Sequence, residues 1–217
     1  QIHTTYEEIH RITGQANSAE QTIIATRTND DAIYKETGRN LIEIGDDLIY
    51  YLNYSNHTEN LNPIQLCDIL PANGDGRNSS FHGGYRVKEI YLDFTREADR
   101  QAFLDGSAGQ LKYRKGGISA KDLTQDERTL ILNTINNGKW FDLASSYESS
   151  EYTENGVTMY RLTCRADANG RWAKGEELIH YADGNGTIDA IYGFVPAVGG
   201  KGNFRMGLIL TPFKKDN

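Results

Sequence analysis

The chain has 217 residues, of which 38% are hydrophobic and 24% are charged, a composition typical of one large folded domain rather than a disordered chain. Its formal net charge of -7 opposes contact with a phosphate backbone, which argues against a nucleic-acid partner. No apolar run approaches the roughly 20 residues of a membrane-spanning helix, which argues against membrane insertion.

The first 28 residues stand apart from the rest of the sequence. Residues 6–12 and 22–26 have the alternation of short strands. Residues 1–28 are therefore either an N-terminal extension, such as the tail of a preceding repeat, or the source of this domain's first strand, and the sequence leaves both open. The domain proper is predicted over residues 29–217. Because Gln1 is not a natural start, we expect a segment of a longer or processed protein.

Short alternating runs dominate the chain from residue 48 onward. Strands are predicted over residues 48–54, 64–70, 85–93, 157–165, 177–181, 188–194 and 204–210. Gly- and Asn-rich turns separate these runs, and Asn155-Gly156 between two of them is a strong hairpin signal. The pattern predicts a mainly β fold, an immunoglobulin-like antiparallel β-sandwich.

A helical excursion interrupts the strands over about residues 94–145. Residues 95–104 have helical spacing with a Thr at the predicted N-cap, and Gly106 follows as a stop. Residues 124–127 form a capping box before an apolar run that Asn137-Gly138 closes. We therefore expect a short helical insertion in the sandwich.

Cys67 and Cys164 are the only cysteines. Without a CxxC motif or a Cys/His cluster, a zinc site is not predicted. Each cysteine lies in a predicted strand, and two alternatives stay open. They are two separate buried thiols, which we favour, or a disulfide of a secreted protein.

A set of short motifs follows in order along the first half of the chain: Lys35, Ile44-Gly45-Asp46, Leu48-Ile49-Tyr50, Asn56 and Asp68-Ile69-Leu70-Pro71. Their order resembles the repeat domains of bacterial, Gram-positive-type cell-surface adhesins and of isopeptide-type fimbrial shaft proteins. Residues 204–212 look like a late strand of the same repeats. The resemblance covers residues 32–93 and again about 176–212.

The resemblance implies a non-enzymatic adhesin or stalk segment located outside the cell, at the cell surface or in the cell wall. Its partners would be neighbouring repeats of the same chain and a glycan or protein ligand of the host or environment. No cofactor is expected, with calcium as the one exception considered below. The alternative class is a secreted carbohydrate-binding module or a glycan-acting enzyme domain.

The resemblance also raises the question of an intramolecular isopeptide bond. Lys35 would supply the amine, Asp68 the acid and Asn203 the amide. This chemistry needs a desolvated, neutral amine and a protonated acid that polarises the amide carbonyl. The acidic neighbours of Lys35 suggest instead a solvated lysine, and Asp68 is suited to capping the turn at Pro71. We expect no bond in this chain.

Two further sites are candidates. Asp183, Asn185 and Asp189 place oxygen ligands on a Gly-containing loop, as a calcium site requires, although an ordinary Asx-rich turn is the favoured alternative. Trp172 and Tyr181 are candidate sugar-stacking residues, although such rings also line sheet faces. No catalytic residue is predicted, because the sequence has neither an HExxH nor a GxSxG motif.

Overall fold

The computed structural model describes residues 4–13, 18–27, 32–37, 47–70, 72–74, 82–105, 110–114 and 140–213. Two antiparallel sheets pack face to face across a shared apolar core, and one short helix lies beside them. The predicted mainly β fold with packed antiparallel sheets is therefore confirmed.

The strands, in chain order, are β1 Thr4–Thr13, β2 Ser18–Arg27, β3 Ala32–Thr37, β4 Leu48–Ser55, β5 Asn62–Ile69, β6 Gly84–Phe94, β7 Gln110–Arg114, β8 Trp140–Asp142, β9 Glu148–Glu154, β10 Val157–Arg165, β11 Ile179–Tyr181, β12 Ala190–Val198 and β13 Asn203–Phe213. Helix α1, Glu97–Asp105, lies between β6 and β7. Within the described residues, no helix is long and apolar enough to cross a membrane.

The two sheets have different strand orders. Sheet A runs β1-β2-β5-β12-β7-β8, and sheet B runs β3-β4-β13-β6-β10-β9, with β11 paired to β6. Strand β2 pairs with β5, with Thr22 opposite Ile69. The N-terminal segment therefore contributes strands β1 and β2 to sheet A.

Alternation along the strands builds the core. In β4, Leu48, Tyr50, Leu52 and Tyr54 are buried, and the residues between them are only half-buried. Leu52 lies opposite Met206 of β13, and neither side chain is exposed to solvent. Each such apolar side chain contributes about 1.5–3 kcal/mol on burial, which is why the register of β13 against β4 is strongly specified.

The first predicted helix is present, but its start differs from the expected one. Arg96 rather than Thr95 precedes the helix, because the Arg96 carbonyl accepts the first helical hydrogen bond, from the backbone N–H of Arg100 at 3.3 Å. The Thr95 hydroxyl accepts instead from the backbone N–H of Asn203 at 2.8 Å. The helix begins at Glu97 and buries Phe103, whose ring centroid lies 6.3 Å from that of Phe94. The helix therefore packs against sheet B at the end of β6.

The rest of the predicted excursion is not wholly helical. Strand β7 pairs with β12, and β8 pairs with β7, so this stretch extends sheet A. Trp140 of β8 is buried, with its ring 6.0 Å from that of Tyr192 in an edge-on contact. The second predicted helix, after the capping box at 124–127, lies outside the described residues.

The strand registers place the first described residue, Thr4, and the last, Phe213, at opposite ends of the sandwich. Asn56 joins the end of β4 to the start of β5 and the end of β12, and we call this end the Asn56 pole. Thr4 lies opposite Arg27 of β2, beyond the pairing of Thr26 with Gln65, and therefore near this pole. Phe213 lies opposite Gly84, at the other pole.

The loop after β11 tolerates only glycine at one position. Gly186 has a φ of 130°, and a Cβ atom there would overlap the backbone carbonyl oxygen of Ile179. Gly156 also has a positive φ, of 79°, but a Cβ atom there meets nothing within 4 Å. Gly186→Ala is expected to lower the free energy of unfolding by about 3 kcal/mol or more. Gly156→Ala is expected to lower it by only about 1–2 kcal/mol.

Urea unfolding of the two glycine variants beside the wild type measures both effects. Both positions have a positive φ, so the difference between the variants reports the contact with Ile179 together with the larger backbone cost at a φ of 130°. Equal destabilisation would contradict the packing of Gly186 against that carbonyl.

Candidate functional site

A buried asparagine ties the two sheets together at the Asn56 pole. Asn56 is 1% exposed, and its Nδ2 donates to the carbonyl oxygens of Asn60 at 2.6 Å and Val198 at 2.8 Å. Its Oδ1 accepts from the backbone N–H of Thr58 at 2.9 Å and from Nδ2 of Asn62 at 3.0 Å. We call these five residues the Asn56 junction. The junction fixes the turn between β4 and β5 against the end of β12.

The hairpin loop between β12 and β13 is held from a second side by helix α1. Asp99 is 2% exposed, and its Oδ2 accepts the backbone N–H of Gly199 at 2.9 Å. The backbone N–H of Lys201 donates to the carbonyl of Thr58 at 3.0 Å. Helix, turn and hairpin therefore form one hydrogen-bonded cap over the Asn56 pole.

A second polar network crosses the outer face of sheet B. Arg205 of β13 and Arg161 of β10 both lie directly opposite Asp93 of β6 in register. Arg161 donates from Nε to Oδ1 of Asp93 at 2.7 Å and from Nη2 to Oδ2 at 2.9 Å. Arg205 and Tyr152 donate to the same Oδ2 at 3.1 and 2.7 Å. We call these four residues the Asp93 row.

Tyrosine rings enclose the two guanidinium groups of the Asp93 row. The Cζ atom of Arg161 lies 3.9 Å from the ring centroid of Tyr91 and 4.5 Å from that of Tyr152. The Cζ atom of Arg205 lies 4.5 Å from the ring centroid of Tyr51. These cation–π contacts hold the guanidinium planes in place. Asp93 beneath them has no exposed surface.

The network keeps its groups in the protonation states that bind one another. Partial burial lowers the pKa of Arg161, but the hydrogen bonds and charge of Asp93 outweigh this and hold that pKa above its ordinary value. Partial burial also lowers the pKa of Arg205, and Tyr152 and Asp93 together raise it above its ordinary value. Burial, followed by the hydrogen bond to Asp93, raises the pKa of Tyr152 to about 12.

The structure does not gather the residues considered for an isopeptide bond. Asn203 is exposed at the start of β13 and lies opposite Ser55, whereas Lys35 lies three residues further along, opposite Leu52. Three residues of strand span about 10 Å. Asp68 is buried on β5 in the other sheet. An exposed amide lacks the apolar surroundings that this chemistry needs, and the Lys35 side chain lies outside the described residues.

The calcium candidates occupy different environments. Asp183 is exposed, and its Oδ1 accepts the backbone N–H of Asn185 at 3.0 Å, as in an Asx turn. Asp189 is buried just before β12, where its backbone bonds to Arg114 and Leu70. Among the described residues, no three His, Cys, Asp or Glu side chains are grouped to hold a metal ion. Calcium binding by this loop stays a prediction.

Of the candidate ligand-binding aromatics, Trp172 belongs to the core. It is 5% exposed, and its indole N–H donates to the carbonyl of Val87 at 3.1 Å, so a sugar has no access to its ring face. Tyr181 is half-buried and packs edge-on against Phe213, with the ring centroids 5.8 Å apart. Cys164 is a free, buried thiol whose pKa burial raises to about 12, which makes it unreactive.

One open cavity of about 490 Å³ lies beside the start of β6. Three of its lining side chains are basic, and each already has an acidic partner. Lys88 contacts Asp47 at 2.7 Å, Arg165 contacts Glu89 at 2.9 Å, and Arg86 lies 3.9 Å from Glu177. The three basic groups of the cavity are thus each paired with a carboxylate, and the exposed carboxylate of Asp167 lines the cavity as well.

The two best-built polar sites hold protein groups in place. In the Asn56 junction the amide is used by backbone and side-chain partners, and in the Asp93 row the carboxylate is sealed beneath two guanidinium groups. The sequence identified Asn56 only as one of the ordered motifs of the resemblance, and it did not identify Asp93 as a site residue. The available signal for the Asp93 row was the presence of charged residues in alternating strands. Which of these residues pair depends on the registers of β10 and β13 against β6, which the sequence does not give.

Removal of the Asn56 side chain is expected to open the Asn56 pole. Asn56→Ala leaves the Val198 carbonyl and the Thr58 N–H buried without these partners, which lowers the free energy of unfolding by about 3 kcal/mol. Asn56→Asp replaces a donor with an acceptor that faces carbonyl oxygens, so it is at least as damaging at neutral pH.

Urea unfolding of these variants beside the exposed control Asn169→Ala measures the effect. Because the neighbouring carbonyls raise the folded-state pKa of the new carboxyl above its unfolded value of about 4, the deficit of Asn56→Asp relative to wild type should narrow as the pH falls toward about 4. If the Asn56→Ala and Asn169→Ala variants unfold alike, the junction does not hold the pole.

Loss of the Tyr152 proton is expected to weaken the fold at alkaline pH. Its folded-state pKa of about 12 lies above the ordinary value of about 10. The corresponding stabilisation is complete below about pH 10 and is lost as the pH rises through about 12. Tyr152→Phe cannot ionise, so its free energy of unfolding should decline less steeply over this range than that of the wild type or of Tyr181→Phe. A decline equal to that of the wild type would contradict this assignment.

Comparison of the chain with protein-family models, with curated proteins and with solved structures found no match. The case for a function therefore depends on the geometry of the chain's own residues.

Proposed function

We propose that the chain is a non-enzymatic segment of a bacterial cell-surface protein, with a stalk or adhesive role outside the cell. The observation that carries the proposal is the position of Thr4 and Phe213 near opposite poles of the sandwich. A force applied through the two ends of the described chain then acts along the strands. A segment that spaces or holds other domains needs this arrangement.

The position of β13 favours resistance to such a force. It lies between β4 and β6 and is antiparallel to both. Inter-strand hydrogen bonds in antiparallel sheets are perpendicular to the strands. Pulling Phe213 away from the Asn56 pole therefore loads many bonds on both sides of β13 at once, over Asn203–Leu210 on the β4 side and Phe204–Phe213 on the β6 side.

The polar sites support the same interpretation. Asn56 and Asp99 direct their buried side chains to backbone groups of the turn and hairpin at the Asn56 pole. Asp93 is used to join neighbouring strands. A catalytic site would instead need such groups to face an open cleft with perturbed protonation.

The alternative, a secreted carbohydrate-binding module or glycan-acting domain, has less support. Tyr51, Tyr91 and Tyr152 do line the outer face of sheet B, as a sugar platform would require. The guanidinium groups of Arg161 and Arg205 already stack on one face of each of these rings, so that face is not available to a sugar. A glycan array would favour the alternative if it gave a clear hit that Tyr91→Ala abolished.

Single-molecule pulling tests the proposal. With handles at the two ends of the chain, the wild-type protein is expected to unfold at higher force than with handles at His82 and the C-terminal end. The second geometry opens the ladder between β6 and β13 from the pair Gly84–Phe213, one bond after another. Equal forces in the two geometries would overturn the stalk proposal.

A further inference from the structure

We infer that the Asp93 row, together with Tyr51, Gly207 and Tyr91, is a lock that stops β13 from slipping toward Phe213 under load. The inference rests on the proposed function for its biological use, although the lock itself is a property of the structure. It has two parts, an attraction that holds Arg205 and a barrier in front of it.

The attraction is the buried carboxylate. Asp93 has no exposed surface, and its Oδ2 accepts from Nε of Arg205 at 3.3 Å and from Nη2 at 3.1 Å. Arg161 holds the other side of the same carboxylate from β10. Movement of Arg205 away from Asp93 leaves a buried charge with one cation fewer, which is strongly unfavourable.

The barrier is formed by two tyrosine rings over a glycine. Gly207 lies opposite both Tyr51 and Tyr91, in the position next to Arg205 on the same face of β13. A Cβ atom on Gly207 would lie 3.0 Å from Cε1 of Tyr51 and 3.5 Å from Cδ2 of Tyr91. A side chain at this position would therefore press on the Tyr51 ring, which would have to shift by a few tenths of an ångström, and would touch the Tyr91 ring at ordinary contact distance.

A slip of β13 toward Phe213 works against both the attraction and the barrier. A shift of one residue would turn its apolar side chains to the outer face, so the smallest slip that keeps the core is two residues, about 7 Å. Moving toward Phe213 by that distance takes Arg205 from the position opposite Asp93 to the one that Gly207 occupied. There the guanidinium meets Tyr51 and Tyr91 in place of a carboxylate.

Pulling experiments on the full chain test the lock. One handle is attached at the exposed Glu59, near the Asn56 pole, and the other at the C-terminal end. Pulling these handles apart slides β13 along β4, which loads the pair in shear. Asp93→Asn keeps the shape but removes the charge, and Arg205→Lys keeps the charge but loses the forked contact. Each variant is expected to rupture at least about tenfold faster than wild type at a fixed force.

A matched control removes another cross-strand ion pair. Asp142→Asn breaks the contact between Lys112 and Asp142 at 2.8 Å in sheet A, and it is expected to leave the rupture rate unchanged. With handles at His82 and the C-terminal end, the lock variants should rupture much closer to the wild-type rate, because peeling does not require slip.

The outcomes separate the lock from the proposed function. If the wild type is stronger with handles at the two ends of the chain than at His82 and the C-terminal end, but Asp93→Asn and Arg205→Lys rupture at the wild-type rate in shear, the lock is wrong and the stalk proposal stands. If the variants accelerate rupture equally in both geometries, they report general stability and the lock is again wrong. Tyr51→Ala leaves every charge in place but removes one of the two rings of the barrier, so it is expected to accelerate rupture in shear. If Tyr51→Ala ruptures at the wild-type rate, the barrier part of the lock is wrong.

Discussion

The register of β13 is the constraint on which the rest of sheet B depends. A strand with one buried face cannot shift by one residue without turning its apolar side chains to water. For β13 this fixes the register against two neighbours, β4 and β6. Its side chains Phe204, Met206 and Leu208 enter the core between those strands. Once this register is set, Arg205 must lie opposite Asp93, and the polar row on the outer face follows from the apolar order on the inner face.

The β9 edge of sheet B shows how charges limit other pairings. Strand β9 is exposed at six of its seven residues and pairs only with β10 within the described chain. Its three glutamates contact arginines of the same domain, in the pairs Glu148–Arg165, Glu151–Arg100 and Glu154–Arg205. Antiparallel pairing of two copies of β9 would bring glutamates opposite glutamates, which is unfavourable. The edge is therefore poorly suited to adding another copy.

Much of the fold could be predicted from sequence because buried strands leave a period of two. Leu48 to Tyr54 showed it, and Asn155-Gly156 identified the hairpin between β9 and β10. Strand β9 itself left no such signal, because an edge strand exposed on both faces needs no apolar alternation. Strand β7 did alternate, through Leu111 and Tyr113, but its position after helix α1 led us to include it in a helical stretch.

The polar sites could not be predicted in the same way, because each depends on contacts between residues far apart in sequence. Nothing local to Asn56 indicates that Val198 will lie 2.8 Å from its amide, and nothing local to Trp172 indicates that its indole will be buried beneath β6. Such buried polar groups add little net stability, since an apolar replacement of the whole set is often as stable. What they do is make alternative arrangements costly. The Asn56 junction makes other arrangements of the pole costly, and the Asp93 row makes other registers of β13 costly. Both sites therefore act on geometry more than on stability, which is what the proposed stalk role would require.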